Sequence, residues 1–174
     1  MLETYQARLA APFAVLGIRT AGERLAGIDY LPNGAATLAP VNRLAERACR
    51  QIERYLDDAA FRFDLPFAFR GTEFQCRVWQ AVYRIPSGRT RSYLDIAREL
   101  ASAPRPVGAA CGANRIPLVI PCHRVVASHG IGGFMHARRG APLEVKRWLL
   151  RHEGAETVMG NADNPSPITH RPSP

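Results

Sequence analysis

The chain has 174 residues, 47% of them hydrophobic, and a formal net charge of +8, which is enough length for one domain or two small ones with buried cores. No apolar run reaches the ~18 residues that a membrane span needs, so we expect no membrane segment. The N-terminus lacks a basic start followed by an apolar stretch, so we expect no secretory signal and a cytoplasmic protein.

The N-terminal part of the chain predicts a small unit of strands and one helix. Residues 12–20 and 25–31 are β-like and flank a turn signal, which predicts a hairpin. Apolar residues recur at helical spacing over residues 41–56. Residues 61–65 alternate apolar and charged side chains, as in a half-buried strand. We therefore expect a strand–strand–helix–strand structural domain over residues 1–66.

The next part of the chain predicts three short helices. Thr72 with Gln75, and Ser92 with Asp95, have the spacing of capping boxes, so a helix begins after each pair. A third helix is predicted over residues 105–113, and two short helices joined by a brief turn indicate a helix-turn-helix. The small side chains of the third helix fit either tight core packing or close approach to DNA, and the sequence leaves both open.

The C-terminal part predicts one more helix and a tail. Apolar spacing places the helix at residues 143–151. Residues 156–174 contain four prolines and no apolar period, which predicts disorder. The expected organisation is therefore a helix-turn-helix domain over residues 67–155 and a disordered tail.

A cysteine stands directly before a histidine at residues 121–126, which read Pro-Cys-His-Arg-Val-Val, after an apolar run at residues 116–120 that predicts an extended segment. A free thiol, with a pKa of about 8.5, is only slightly ionised near neutral pH, and only the thiolate is a good nucleophile. A neighbouring base changes that, so Cys122 and His123 are candidate catalytic residues. The other cysteines have no C-x-x-C spacing, and free thiols are expected.

The positive charge is concentrated in the part that contains Cys122. Residues 1–70 carry a net charge of +1, residues 71–155 carry +8 and residues 156–174 carry −1. A basic domain around a reactive site indicates a polyanionic partner such as nucleic acid. An arginine-rich solvated surface is the alternative, and charge alone does not separate the two.

The C-terminal half resembles the O6-alkylguanine-DNA alkyltransferases, the methylated-DNA–protein-cysteine methyltransferases. The resemblance is dense and ordered over residues 71–154, whereas the first 66 residues match only in their pattern of predicted elements. The matching positions are residues 71–75, 78–79, 85–88, Thr90, 92–93, 107–108, Asn114, 121–125, 132–134, Lys146, 149–150 and 153–154.

The resemblance implies direct reversal of DNA damage. The protein is expected to flip an O6-alkylguanine out of duplex DNA and transfer the alkyl group irreversibly to Cys122, once per molecule. His123 is implied to act as the base through a bound water, Glu153 to orient that histidine, and Asn114 to fix the turn beside the active site.

The resemblance also implies binding residues. The flipped guanine is expected to contact Tyr93, the backbone carbonyls of Val125 and Cys122, the ring of Phe134 and the backbone amide of Met135. Arg105 is expected to insert into the duplex where the base has left. DNA contacts are implied for this set of residues: Ser92, Arg105, Pro106, Gly108 and Ser128.

The implied fold is α+β, with a ribonuclease-H-like N-terminal domain followed by a mainly helical, winged helix-turn-helix-like domain. No cofactor is expected. No metal is expected either, because residues 1–48 lack the cysteines and histidines that bind zinc in some members. The expected partner is double-stranded DNA containing O6-alkylguanine, and the chain is expected to be a monomer in solution, with clustering on DNA left open.

One departure from the family pattern lies next to the expected pocket. The loop at residues 135–141 is longer than usual, and we hypothesise that its Arg138 and Arg139 add phosphate contacts or alter the tolerance for bulky alkyl groups. Two other functions stay open at this point. They are a non-catalytic lesion-binding or helix-turn-helix regulatory protein, and a Cys-His hydrolase.

Overall fold

Three antiparallel strands form the N-terminal sheet, in the order β1–β2–β3. The structure is a computed structural model that describes residues 4–155. The predicted hairpin is confirmed, and its turn contains Gly22 at φ 58°, a backbone conformation that favours glycine. The first strand was not predicted. The strands are β1 (Ala7–Ala10), β2 (Val15–Ala21) and β3 (Arg24–Leu31).

The predicted first helix is confirmed as α1, Arg43–Asp57. It begins where the Asn42 side chain accepts a hydrogen bond from the backbone N–H of Ala45, at 2.8 Å. Ala45, Ala48 and Ile52 are fully buried, and the helix packs against the sheet. The apolar stripe that predicted the helix is therefore the face that it buries.

The strand predicted at residues 61–65 is wrong. These residues have no regular secondary structure, although their burial alternates as expected. The Gln51 side chain accepts from the N–H of Asp64 at 2.8 Å and donates to its carbonyl at 3.0 Å. Side chains of α1 thus satisfy backbone groups that a strand partner was expected to pair. The N-terminal order is strand–strand–strand–helix.

Both capping boxes are confirmed, and each begins a helix. Helix α2 covers Glu73–Tyr83, α3 covers Tyr93–Glu99, and α4 covers Pro104–Gly112. Helix α4 packs against both others. The buried Trp79 indole donates to the Ala110 carbonyl at 2.8 Å, so this tryptophan has a structural role between α2 and α4.

The apolar run at residues 116–120 was predicted to be extended, and this prediction is wrong. The segment forms a buried turn. The N–H of Ile120 donates to the carbonyl of Ile116 at 2.9 Å. The Asn114 side chain closes the same turn, because its oxygen accepts from the Ile116 N–H at 2.9 Å and its amide donates to the Ile120 carbonyl at 2.8 Å. A side-chain amide thus replaces the strand partner that an extended segment needs.

Cys122 begins a 3₁₀ turn, Cys122–Arg124, that leads into a two-residue strand. This strand, β5 (Val125–Val126), pairs in parallel with β4 (Arg91–Ser92). The last helix, α5, covers Ala141–His152, slightly longer than predicted.

One apolar core joins the N-terminal sheet to the C-terminal helices, so the two halves are packed together. Among residues 4–155, no helix is both long and apolar enough to span a membrane. The tail predicted to be disordered lies outside the described residues.

Candidate functional site

A cleft of about 720 Å³ opens beside Cys122, between α4, the start of α3 and the segment that precedes α5. It brings together six of the residues singled out from the sequence, namely Tyr93, Arg105, Gly108, Cys122, Phe134 and Met135. It also contains Arg138, from the loop expected beside the pocket, and Cys111, Gly112 and His136, to which the sequence assigned no place there. The cleft therefore contains the candidate nucleophile and one face of helix α4.

The Cys122 thiol lies at the base of this cleft with 5% of the residue exposed. The Asn114 side-chain amide donates to its sulfur at 3.3 Å. Hydrogen bonding to Cys111 and burial raise the pKa of the Cys122 thiol well above its ordinary value, while Asn114 and Lys146 act in the lowering direction. The thiol is consequently protonated near neutral pH in the free protein, and a base has to remove its proton for chemistry.

His123 and Glu153 form a buried pair behind the thiol. The His123 Nε2 atom lies 2.9 Å from a carboxylate oxygen of Glu153, with 1% and 8% of the two residues exposed. Arg124 donates to both carboxylate oxygens, at 2.9 and 2.8 Å. The Tyr55 hydroxyl of α1 donates to the same carboxylate at 2.8 Å. Glu153 is therefore held by donors from three directions.

The charges of this cluster follow from its contacts. Burial raises the pKa of Glu153, but His123 and Arg124 together hold it well below its usual range, so the carboxylate is ionised. Burial lowers the pKa of His123 and Glu153 opposes this, and the net shift is downward, so the imidazole is neutral. A neutral ring that donates from Nε2 to Glu153 has an unprotonated Nδ1, which is the form of a general base.

Cys122 and His123 are not directly hydrogen-bonded to each other in residues 4–155, where the thiol's side-chain donor is Asn114. The two residues are adjacent in the 3₁₀ turn, but the ring is directed to Glu153. A proton moving from the sulfur to His123 therefore needs an intermediate carrier. The bound water that the family resemblance implies stays a prediction for this role.

Lys146, on α5, is a fully buried cation beside the cleft. Its amine donates to the carbonyl of Val125 at 2.7 Å and to that of Gly133 at 2.8 Å. Burial lowers the pKa of Lys146 to about 8, while Cys111 and Cys122 act in the opposite direction. The Tyr93 hydroxyl donates to the same Gly133 carbonyl at 3.1 Å. The Val125 carbonyl expected to face the guanine thus already accepts one hydrogen bond, and a carbonyl can accept a second.

Met135 and His136 form a tight turn at the mouth of the cleft. Phe134 and Ala137 exchange two backbone hydrogen bonds of 2.8 Å around it. Met135 and His136 both have positive φ, at 50° and 62°, as in a type I′ turn. The Met135 N–H has no backbone partner among the described residues, so this donor is available to a ligand.

The residues expected to contact DNA are distributed over several places. Arg105 and Pro106 are exposed on the first turn of α4. A methyl group placed at Gly108 would lie 3.8 Å from the Tyr93 ring, in ordinary contact. The Ser92 hydroxyl caps α3 by accepting from the Asp95 N–H at 3.0 Å, which is a structural role. Ser128 is exposed, outside the lining of the cleft.

Several site residues were missed by the sequence analysis. Tyr55 and Tyr30 come from the N-terminal unit, which the sequence treated as free of chemistry. The Tyr30 hydroxyl is buried without a hydrogen-bond partner among the described residues, and burial, then Cys122, raises its pKa. Tyr55 lies 98 positions from Glu153 in the chain. No local spacing in the sequence signals such a long-range contact. Arg124, which also binds Glu153, is different because it belongs to the Pro-Cys-His-Arg motif.

We expect removal of the hydroxyl groups of Tyr55 and Tyr30, both of which are buried, to change the stability of the protein in different directions. Tyr55→Phe removes a donor from a buried carboxylate and is expected to lower the free energy of unfolding by about 1–3 kcal/mol. Tyr30→Phe removes an unpaired buried hydroxyl and is expected to leave it unchanged or to raise it by about 1 kcal/mol. Urea denaturation of the two variants measures the difference. Equal losses from both would contradict the hydrogen-bond assignments.

A second cleft, of about 380 Å³, lies on the other side of the Asn114 turn. It is lined by four arginines, Arg19, Arg24, Arg70 and Arg115, together with Trp79 and other residues. It contains neither Cys122 nor His123 nor Glu153. The chemistry therefore assigns the candidate site to the cleft beside Cys122.

Comparisons with known proteins match the same region. Residues 73–155 match the family model described as 6-O-methylguanine DNA methyltransferase, DNA binding domain. A methylated-DNA–protein-cysteine methyltransferase of Archaeoglobus fulgidus is 41% identical over 106 residues, which cover 60% of this chain and 72% of the relative.

Solved structures extend the similarity to the N-terminal half. The O6-methylguanine methyltransferase of Mycobacterium tuberculosis aligns with a TM-score of 0.73 and 30% identity, covering 95% of this chain and 98% of that chain. The Mycobacterium tuberculosis OGT in complex with DNA aligns with a TM-score of 0.69 and 33% identity, covering 85% and 91%. The α+β arrangement of a small antiparallel sheet and several helices is thus shared with these structures.

Proposed function

Because the chain belongs to the methylated-DNA–protein-cysteine methyltransferase family, and so repairs DNA by transferring an alkyl group to one of its own cysteines, we propose that Cys122 is the acceptor and that O6-alkylguanine in duplex DNA is the substrate. The observation that carries the proposal is the position of Cys122. The Cys122 thiol lines a cleft bounded by α4. The next residue in the chain, His123, forms a buried pair with Glu153.

The reaction is a single displacement at carbon. The Cys122 sulfur attacks the alkyl carbon, the S–C bond forms, and the bond between that carbon and guanine O6 breaks. Guanine leaves with the bonding electrons and takes up the proton that the thiol has lost. The thioether is stable, so each protein molecule acts once. Holding the sulfur in line with the carbon supplies much of the rate advantage.

The base of the reaction is His123. Its Nδ1 atom receives the thiol proton through a water molecule, because Nε2 is committed to Glu153. The ionised Glu153 stabilises the imidazolium formed at that moment, and Arg124 and Tyr55 hold the carboxylate in place. Asn114 and Lys146 favour the thiolate, since both lower the pKa of Cys122.

The flipped guanine is proposed to occupy the cleft above Cys122. The Met135 N–H is an unpaired donor for O6, and the Val125 carbonyl has a second acceptor position for the guanine amino group. Phe134, with 7% of the residue exposed, walls the pocket. Tyr93 also lines the cleft. Extruding the base costs a few kcal/mol, and less for a poorly paired lesion.

The α3–α4 pair is proposed to be the DNA-binding unit, a helix-turn-helix of the winged type. The exposed face of α4 carries Arg105, Pro106 and Ala109. Ala109 and the neighbouring Gly108 are small, so the helix backbone can approach a groove closely. Arg105 stands at the mouth of the cleft, where it can fill the space that the flipped base leaves. Gly108 keeps α4 narrow beside Tyr93. Ser128 is proposed to contact a phosphate.

We expect DNA affinity to fall steeply with salt. If binding neutralises about five phosphates, log K falls against log salt with a slope near −4.5. Arg138→Ala with Arg139→Ala, both exposed beside the cleft, is expected to make the slope shallower by up to about 1.8. Arg43→Ala with Arg50→Ala, exposed on α1, is the matched control. An unchanged slope in the first variant would exclude phosphate contacts by the loop.

The domain organisation and setting are proposed as follows. Residues 1–66 form a structural domain, ribonuclease-H-like in type, that braces the site through Tyr55, and residues 67–155 form the alkyl-acceptor domain. The protein acts as a monomer in the cytoplasm, where it encounters DNA. Both domains contribute to one core, so the N-terminal domain is expected to be required for a folded site.

A titration separates this function from a lesion-binding module and from a Cys-His hydrolase. Duplex DNA containing O6-methylguanine is mixed with the protein at rising DNA-to-protein ratios, and restored guanine is quantified. We expect the restored guanine to reach one equivalent per protein molecule and stop. No restoration despite lesion binding would support the non-catalytic module, and repeated turnover of an ester or amide would support the hydrolase.

A further inference from the structure

A second thiol shares the cleft with Cys122. Cys111, in α4, lines the same space and is half-buried. Asn114 links the two cysteines, since its N–H donates to the Cys111 carbonyl at 3.2 Å and its side-chain amide donates to the Cys122 sulfur at 3.3 Å. Both are free thiols, as are Cys49 and Cys76, which lie outside this cleft. The mechanism above makes no use of Cys111.

The two thiols and one buried amine interact with each other. Hydrogen bonding to Cys111 is the largest influence on the pKa of Cys122, which it raises. Both sulfurs act on the pKa of Lys146, which burial lowers and the two thiols raise. Lys146 acts against the net rise in the pKa of Cys122. The thiolate that forms once a base removes the thiol proton is the species that reacts with oxidants.

We propose that Cys111 and Cys122 are a modification site, at which a hydroperoxide converts the pair into an intramolecular disulfide. The Cys122 thiolate attacks one peroxide oxygen and the O–O bond breaks, so Cys122 becomes a sulfenic acid while the peroxide is reduced to an alcohol or water. The Cys111 sulfur then attacks the Cys122 sulfur. The S–S bond forms, the S–O bond breaks, and the hydroxyl leaves as water with the Cys111 proton.

The disulfide caps the proposed alkyl acceptor in a form that a thiol reductant restores. Without a resolving thiol, sulfenic acid proceeds to sulfinic and sulfonic acids, which ordinary reductants do not reverse. For a protein that acts once per molecule, that loss is permanent. The protective consequence rests on the proposal that Cys122 is the acceptor, whereas formation of the bond does not.

Peptide mapping of the full chain tests the proposal, because trypsin places the four cysteines in four different peptides. These are residues 48–50, 71–77, 99–115 and 116–124, the third remaining whole because a proline follows Arg105. After hydrogen peroxide treatment and blocking of free thiols, we expect peptides 99–115 and 116–124 to be linked, with a mass loss of about 2 Da that reduction reverses.

Two variants complete the experiment. In Cys111→Ala, the same peroxide dose is expected to add about 32 or 48 Da to peptide 116–124, and methyl acceptance is not regained on reduction. Cys76→Ala is expected to form the same link as the wild type and to regain acceptance. Sulfinic or sulfonic acid on Cys122 in the wild type to the same extent as in Cys111→Ala would overturn the proposal, as would a link that involves peptide 48–50 or 71–77.

The readouts keep this inference separate from the proposed function. A linked pair with full methyl acceptance would support the disulfide and exclude Cys122 as the acceptor. Loss of acceptance by oxidation of Cys122, with no link, would support the acceptor and exclude the disulfide.

Discussion

Glu153→Gln is expected to slow alkyl transfer by about a hundredfold, because the variant no longer stabilises the protonated form of His123. It is also expected to lower the free energy of unfolding by about 3 kcal/mol, since it removes the charge that Arg124 pairs with inside the protein. Single-turnover repair of an O6-methylguanine duplex and urea denaturation measure the two effects.

The stability effect has a defined pH dependence. The folded-state pKa of Glu153 is depressed, so its contribution is fully present above the unfolded pKa, about 4.3, and is lost as the pH falls through the lower folded value. The stability gap between wild type and Glu153→Gln should therefore narrow below about pH 4.

The control for this variant is Glu144→Gln, on the exposed side of α5, where the carboxylate pairs with the exposed Arg147. It is expected to change stability by less than about 0.5 kcal/mol and to leave the repair rate unchanged. Equal effects from both variants would contradict the role given to the buried carboxylate.

Cys122→Ser is expected to reduce lesion repair by roughly a thousandfold or more, because a hydroxyl at this position is far less ionised and less nucleophilic than a thiol. The cleft and α4 remain, so affinity for the lesion duplex is expected to stay within about threefold of the wild type. Gel shift and single-turnover repair on one preparation measure both quantities.

The matched control is Cys76→Ser. This thiol is half-buried and interacts with the Phe69 and Gly71 carbonyls, away from the cleft. We expect its repair rate to match the wild type within about twofold. Persistent repair by Cys122→Ser, or its loss in Cys76→Ser, would place the chemistry on a different sulfur.

Local sequence signals predicted the helices and the hairpin well. Each capping box joins residues three positions apart, so Thr72 with Gln75 and Ser92 with Asp95 act through contacts that the sequence itself displays. The buried face of α1 is likewise visible in the sequence, as apolar residues that recur at helical spacing. The recognised motif also placed Cys122, Tyr93 and other residues in one cleft because they belong to a single ordered pattern.

The failures involve contacts that no local pattern encodes. Residues 61–65 alternate like a strand, but Gln51 of α1 takes up the hydrogen bonds of Asp64. Residues 116–120 are apolar and read as extended, yet the Asn114 side chain closes them into a turn. In both cases a polar side chain outside the segment determined its backbone.

The N-terminal contribution to the site was also beyond sequence reasoning. The Tyr55 hydroxyl of α1 contacts Glu153, 98 positions away in the chain. The Tyr30 side chain lies close enough to Cys122 for the thiol to raise the pKa of Tyr30. In the sequence, Cys111 is one of several small residues in α4 and carries no signal of a functional role. Its position beside Cys122 depends on the turn that Asn114 closes. The family resemblance implied a turn fixed by Asn114, but nothing in the sequence placed Cys111 next to it.

The most direct test of the central claim is the location of the transferred methyl group. The wild-type chain is incubated with excess duplex containing O6-methylguanine, digested with trypsin and analysed by mass spectrometry. We predict a gain of about 14 Da on peptide 116–124, with the methyl group on the Cys122 sulfur, in step with the restoration of guanine. A methyl group on peptide 48–50, 71–77 or 99–115, or restored guanine with an unmodified protein, would contradict the account.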